Sequence, residues 1–194
     1  MNDTGAQKSE GKIDADLLAR IARQDRAALR TFFARYHVRL YRYLVRLTRN
    51  EGLAEDMINE VFLSVWRNAA SFQGQSAVSS WVFAIARNRA MSELRKKSET
   101  TLDDPDSYDE VDDSDTPEET AMKADKGAAL RECLFKLTPE HREVIELVYY
   151  HDKSVKEVAD IVGIPENTVK TRMFHARQKL SVILREAGID RGWP

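Results

Sequence analysis

The stretch Ser154-Val-Lys-Glu-Val-Ala-Asp-Ile-Val-Gly163, running on into Ile164-Pro-Glu-Asn-Thr-Val-Lys-Thr-Arg-Met-Phe-His-Ala-Arg-Gln-Lys-Leu180, decides the fold. Ser154 and Glu157 have the spacing of a capping box, in which hydroxyl and carboxylate each take up an orphan N–H at a helix start. Gly163 stands where a short helix, 154–162, would close in the left-handed region. Ile164 and Pro165 turn the chain, and from Glu166 the apolar residues Val169, Met173, Ala176, Leu180 and Ile183 recur at helical spacing, predicting a helix over 166–187. A short helix, a glycine turn and a longer helix, with small Ala159 where the two would cross, is the layout of a helix-turn-helix. The unburied side of the second helix carries Asn167, Lys170, Thr171, Phe174, His175, Arg177 and Lys179. Its early residues can reach base edges, while Arg172, Arg177 and Lys179 suit phosphates. A plain solvated basic face would use the same residue types; the capped helix and glycine turn favour duplex DNA.

Working outward, the same periodicity continues. Upstream, helices are predicted over about 121–136, with Leu130, Cys133 and Leu134 inward, and over 139–150, with Thr138 as N-cap and Pro139 in the first position. Nearer the N-terminus Ile13, Leu17, Leu18 and Ile21 make one short amphipathic helix. Leu29, Phe32, Phe33, Tyr36, Leu40, Tyr43, Leu44 and Leu47 make a long one. Leu53, Met57, Val61, Phe62 and Val65 follow after a break near Asn50 and Gly52. A fourth helix runs from about Ala77 to Lys97, with Val78, Trp81, Val82 and Ile85 inward. The loop 70–76 before it contains Gly74 and ends on Ser76 as N-cap. The expectation is an all-α chain.

Composition agrees. The 194 residues are 42% hydrophobic and 32% charged, and eight glycines and five prolines leave little material for the turns of an all-β fold. Cys133 stands alone, which excludes an intramolecular disulfide and multi-cysteine metal sites. His37, His141, His151 and His175 fall on separate predicted helices, and the sequence has neither an HExxH motif nor a glycine-rich phosphate loop, so no catalytic constellation and no cofactor are expected. His175 is the DNA-facing candidate and the other three read as surface residues. With no apolar leader at the N-terminus and no run near the roughly 18 residues of a membrane span, a cytoplasmic protein without membrane insertion is expected.

The net charge of -2 hides an arrangement. Residues 13–97 hold 15 Lys and Arg against 8 Asp and Glu; residues 98–120 hold 11 acids and no base; residues 121–194 hold 13 bases and 11 acids. The acidic stretch has almost nothing apolar to offset its ordering entropy and reads as a flexible linker. Two small helical domains, 13–97 and 121–187, are therefore predicted, flanked by a disordered tail 1–12 and a tail 188–194 that includes Trp193.

The residues resemble a known family. Leu137 to Leu147 and Lys156 to Leu180 look like the C-terminal domain of bacterial extracytoplasmic-function (ECF) sigma factors, of the sigma-70 family. Ala54-Glu-Asp-Met-Ile-Asn-Glu-Val-Phe-Leu63 is similar to that family's core-polymerase-binding segment, and Phe72 to Ala90 to its promoter-melting and −10 segment. The resemblance implies an RNA polymerase subunit that recognises and opens promoters, binding core polymerase through Glu55, Asp56, Asn59, Glu60 and Leu63. A solvated acidic patch is the alternative for that face. Phe72, Trp81, Arg87, Asn88, Arg89 and Arg95 are expected at the −10 element and its non-template single strand, where a flipped base needs a cover and strand phosphates need cations. Trp81 also fits as plain core, Phe72 as a loop anchor and Asn88 as a surface amide. For the −35 duplex the resemblance implies Asn167, Lys170, Thr171, Arg172, Phe174, His175 and Arg177, with Arg172 and Arg177 as backbone contacts or supports inside the domain. Asn167 replaces a glycine common in the family, and Asn59 a glutamine.

A cognate anti-sigma factor that blocks both domains is expected, as is a monomeric free protein. The linker spans at most about 75 Å extended but averages about 26 Å as a coil. Promoter elements about 50 Å apart would therefore stretch it. It is expected to mask basic surface in the free protein, to mimic nascent RNA in the polymerase, or to act as a tether alone. The competing reading is a stand-alone helix-turn-helix regulator with an N-terminal sensing or dimerisation domain. Against it stands the Phe72–Lys97 segment, whose aromatic and amide residues among arginines suit single-stranded DNA.

Overall fold

The computed structural model describes residues 3–100, 129–130 and 132–189, with side chains for 10–96, 129–130 and 132–189. The described residues are helical, without strands, and the chain divides into two compact units. The first carries α1 (Asp3–Ile21), α2 (Arg26–Thr48), α3 (Glu51–Asn68), a 3-10 turn (Ala69–Ser71) and α4 (Val78–Thr100). In the second, residues 129–130 and 132–135 form α5. They are followed along the chain by α6 (Pro139–Ile145), a π-helical turn (Glu146–Tyr150), α7 (Val155–Val162), of which 155–159 belong to this unit, and α8 (Glu166–Glu186).

In the first unit α1 packs on α2 and α4, α2 on α3 and α4, and α3 on α4. The core is the stripe that periodicity marks: Leu17, Leu18, Ile21, Phe32, Tyr36, Leu40, Tyr43, Leu44, Met57 and Val61 are buried. Phe32 stacks on Tyr36 at 4.5 Å and meets Phe62 edge-on at 6.4 Å. Side chains set the helix starts. Asp25 accepts the Ala27 and Ala28 N–H groups, and Asn50 accepts that of Leu53 at 2.7 Å. The Ala28 N–H, aided by Arg20, holds the Asp25 carboxyl below its ordinary value. At the C-terminal end of α2, Arg49 adopts the left-handed conformation.

Several expectations need correction. The N-terminal tail gives way to helix from Asp3, ten residues before Ile13, because Ala6, Gln7, Lys8, Glu10 and Lys12 are good helix formers and no proline interrupts them. At its far end α4 continues to Thr100 rather than stopping at Lys97, since the first breaker is Pro105. The rest of the connector, the predicted helical residues 121–128 and Trp193 lie outside the described residues. Ser76 does not cap α4: the Trp81 N–H bonds the Ala77 carbonyl, and the Ser76 hydroxyl points at that same carbonyl. The inward face of α4 is Val78, Val82, Phe83, Ala86 and Ala90, with Trp81 and Ile85 half-buried, because helix packing admits the small alanines closest. Phe33, at the edge of the α2 stripe, is exposed.

The second unit is built round Cys133, Leu134, Leu137, Ile145, Ala176, Leu180, Ile183 and Leu184, so the cysteine is a small buried hydrophobe. Thr138 occupies the N-cap position of α6, but its hydroxyl does not cap. Glu140 takes its own backbone N–H and the Thr138 hydroxyl instead, and these bonds lower its pKa against the effect of partial burial. The helix predicted over 139–150 is α only to Ile145 and widens to a π turn beyond it. The tail does not begin at Gly188. That glycine, at φ 70°, closes α8, the Ile189 N–H bonds the Leu184 carbonyl at 2.8 Å, and Ile189 packs on the core, because a left-handed residue folds the next apolar one back over the helix end. Three histidines also depart from a surface placement: His151 is buried, and His37 and His141 are half-buried. The amphipathic imidazole packs well against rings, as His37 does on Phe33 at 4.6 Å.

Candidate nucleic-acid and partner interfaces

The capping box forms as its spacing requires. The Ser154 N–H and hydroxyl donate to Glu157 at 3.0 and 2.9 Å, and the Glu157 N–H donates back to the hydroxyl at 3.2 Å. Burial would raise the Glu157 carboxyl, but the Lys153 charge and the Ser154 bonds outweigh it and its pKa is lowered. Gly163 takes φ 74° with open space at its Cβ position, so backbone conformation rather than crowding demands glycine there. Pro165 then precedes α8 as its N-cap residue. Ser154→Ala should destabilise the second unit by about 1 kcal/mol, read as a lower thermal midpoint. The stability that Glu157 contributes is present above its ordinary value of 4.5 and is lost as pH falls through its lowered folded value. The difference between wild type and Ser154→Ala should therefore shrink in acid; a difference constant down to strongly acidic pH would show that the Glu157 carboxylate adds nothing to the hydroxyl cap, and no difference at any pH that the box is idle.

On α8 the inward stripe Val169, Met173, Ala176, Leu180 and Ile183 is buried, as read from spacing. Asn167, Lys170, Thr171, Phe174, His175 and Arg177 are exposed and Arg172 is half-buried. Phe174 is 58% exposed, a large apolar ring held in solvent at the middle of a polar face. The Thr171 hydroxyl donates to the Asn167 carbonyl at 2.9 Å, which leaves its methyl and its acceptor lone pair outward. The His175 ring lies 5.4 Å from Phe174 and 6.4 Å from His141 of α6. Burial first, then the His175 charge, holds His141 below the ordinary imidazole value, and Glu140 opposes this. The Arg172 charge adds a smaller downward push on both Glu140 and His141. The Arg177 guanidinium sits over the Tyr149 ring at 5.6 Å.

In the first unit Glu55, Asp56, Asn59, Glu60 and Leu63 are all exposed, with Leu63 at 45%. They recur at i, i+4 and i+7 or i+8, so α3 presents them together while Met57, Ile58 and Val61 go inward. Asn59 donates to the Glu55 carbonyl at 3.1 Å. Glu60 is engaged, forming an ion pair with Arg89 of α4.

Phe72 and Trp81 come together. The Phe72 N–H closes the 3-10 turn on the Ala69 carbonyl, and its ring meets Trp81 at 5.4 Å and 57°, both rings half-buried. Trp81, Asn88 and Arg95 lie seven residues apart, nearly two helical turns, and so share one face of α4. Asn88 and Arg95 are exposed there; Arg87 is half-buried beside them. Arg89 departs from the expectation of a cation free for DNA. It pairs with Glu60 and, at 3.3 Å, with Glu93, which Lys96 also contacts at 2.9 Å. Hydrogen bonding from Lys96 keeps Glu93 below its ordinary value. Sequence reading missed Glu93 and Tyr149. The i, i+4 spacing of Arg89 and Glu93 could have found the first, whereas nothing local marks Tyr149 as the partner of a residue 28 positions away.

No described helix is long and apolar enough to cross a membrane, and the described residues hold no group of three or more His, Cys, Asp or Glu able to bind a metal. The profile of Sigma-70 region 2 matches residues 32–100, and that of Sigma-70 region 4 matches residues 127–180. The ECF RNA polymerase sigma factor SigL of Mycobacterium tuberculosis is 30% identical over 172 residues, 88% of this chain and 96% of the relative. The ECF RNA polymerase sigma factor SigK of Mycobacterium bovis is 31% identical over 180 residues, 91% and 96% of the two chains. Among solved structures, CnrH in complex with the cytosolic domain of CnrY superposes with a TM-score of 0.67 at 23% identity, over 90% of this chain and 98% of that one. The sigma factor RpoE, in complex with the anti-sigma factor NepR from Bartonella quintana, gives 0.63 at 22% identity over 80% and 96%. At these identities the structures speak for the fold.

Proposed function

Because the chain belongs to the extracytoplasmic-function branch of the sigma-70 family of RNA polymerase sigma factors, we propose that it binds core RNA polymerase, recognises −35 and −10 promoter elements and opens the duplex. In this reading 13–97 is the core-binding and −10 domain, 98–120 the linker and 121–187 the −35 domain. The exposed α3 face, Glu55, Asp56, Asn59, Glu60 and Leu63, meets the polymerase. Lys170, Thr171, Phe174 and His175 meet −35 bases, and Asn167, Arg172 and Arg177 meet or support contacts to the phosphates. The protein is a cytoplasmic initiation factor rather than an enzyme. A cognate anti-sigma factor controls it, as the solved complexes of its structural neighbours suggest.

One observation carries the reading: Phe72 against Trp81 on the α4 face that also bears Asn88 and Arg95. Two rings, an amide with both donor and acceptor, and a cation on one half-exposed face suit a flipped base and its strand. A duplex-binding regulator has no use for that set. The test is run-off transcription by core polymerase, with and without the full chain, on promoters recovered by selection, with permanganate reporting unpaired thymines. Asn88→Ala and Phe72→Ala should each lower promoter opening by about tenfold or more while the holoenzyme still assembles; each bidentate base contact or base stack is worth about 1–3 kcal/mol. If the chain instead shifts duplex DNA alone and lends core polymerase no promoter specificity, it is a stand-alone regulator and the reading fails.

A further inference from the structure

We propose that Tyr149 is a positioning residue for promoter binding, its ring face holding the Arg177 guanidinium above it where the N–H groups can meet a duplex phosphate. The inference rests on the reading of α8 as the duplex-contacting helix. Two backbone irregularities stand between α6 and α7. Residues Glu146–Tyr150 adopt a π turn, and Asp152 takes φ 52°, a left-handed conformation that a non-glycine residue seldom adopts. Just after them the Lys153 N–H reaches back six residues to the Leu147 carbonyl at 2.9 Å, closing the turn.

A π turn widens the helix and rotates the residues after it relative to an α-helical continuation, so the direction of Tyr149 is a property of this turn. The ring comes to lie beneath Arg177 of α8, 5.6 Å from the guanidinium carbon, with both side chains exposed. Arg177 shares the outward face of α8 with Lys170 and Phe174, at spacings of seven and three residues. A guanidinium held over a ring by cation–π attraction leaves N–H donors available for a bidentate phosphate contact. An arginine standing free in solvent would have to freeze its rotamers on binding; one already held over a ring loses less.

The experiment measures holoenzyme binding to a −35-containing promoter fragment across a salt series, using the full chain with core polymerase. Arg177→Ala should weaken binding and flatten the salt slope by about 0.9, one phosphate's worth. Tyr149→Leu should weaken binding about two- to fivefold and flatten the slope in the same direction, while Tyr149→Phe, which keeps the ring face, stays near wild type. In an Arg177→Ala background, Tyr149→Leu should add nothing. Pentafluorophenylalanine at 149 keeps a ring of similar shape with no ionisable hydroxyl, drains the ring face of negative charge, and should weaken binding relative to Tyr149→Phe; it decides the matter should Tyr149→Leu fold poorly. Losses that add in the double variant, or a fluorinated ring that leaves affinity unchanged, overturn the proposal. If Arg177→Ala and Lys170→Ala both leave promoter binding intact, the fault lies instead with the reading of α8.

Discussion

Reversing two charges on α3, Glu55→Lys with Asp56→Lys, will weaken binding to core RNA polymerase on the order of a hundredfold, about 2.7 kcal/mol. Both side chains are exposed, and neither makes a bond that holds the bundle together, so the fold should survive. In the proposed reading this face meets the polymerase, so reversing its charge turns an attraction made there into repulsion. Binding of the variant to core is read by competition with the wild-type chain, and its thermal midpoint serves as the folding control. Wild-type affinity in a normally folded variant would leave the face an ordinary solvated patch. Glu60 is a poorer site for the same experiment. Its ion pair with Arg89 ties α3 to α4, so changing it disturbs both faces at once.

The second large effect is on stability. Asp14 of α1 is buried, accepts the Tyr36 hydroxyl at 2.5 Å and pairs with the Arg35 Nε at 2.9 Å. Burial, then the bond to Asp14, pushes the Tyr36 phenol far above its ordinary value, so it remains a donor throughout the accessible pH range. Asp14→Ala leaves that hydroxyl buried without its acceptor and a cation without its counterion. The expected cost is about 2–3 kcal/mol. For a unit of roughly 100 residues this is a fall in thermal midpoint of about 8–24 °C. Tyr36→Phe with Asp14→Ala should recover part of the loss, since the orphaned hydroxyl goes too. A single variant that melts with the wild type would show the clasp to be idle.

The helix-turn-helix was legible because its signals are local. A capping box spans four residues, a left-handed glycine acts on its immediate neighbours, and a buried stripe repeats every three or four positions. The same holds for the outward set on α3, which is the complement of its inward stripe. Local signals failed at ends and irregularities. Thr138 and Ser76 have the right chemistry for caps, yet Glu140 competes for one helix start and Ala77 takes the position expected of Ser76 at the other. Nothing in Glu146-Leu-Val-Tyr-Tyr150 announces a π turn, because the choice between α and π depends on how the following segment packs.

From residue spacing and composition alone follow the all-α class, the capped short helix before the glycine turn, and the faces of α3 and α8; the sequence motifs add a family resemblance that the comparisons bear out. Periodicity says which way a side chain leaves its helix, but not which other helix it meets. That was decided when the chain packed: Arg89 drawn off to Glu60, Arg177 laid over Tyr149, Asp14 closed upon Tyr36 and Arg35. Each of these pairs joins residues 20 or more positions apart, and an ion pair, a ring contact or a buried hydrogen bond is a matter of a few ångströms in space.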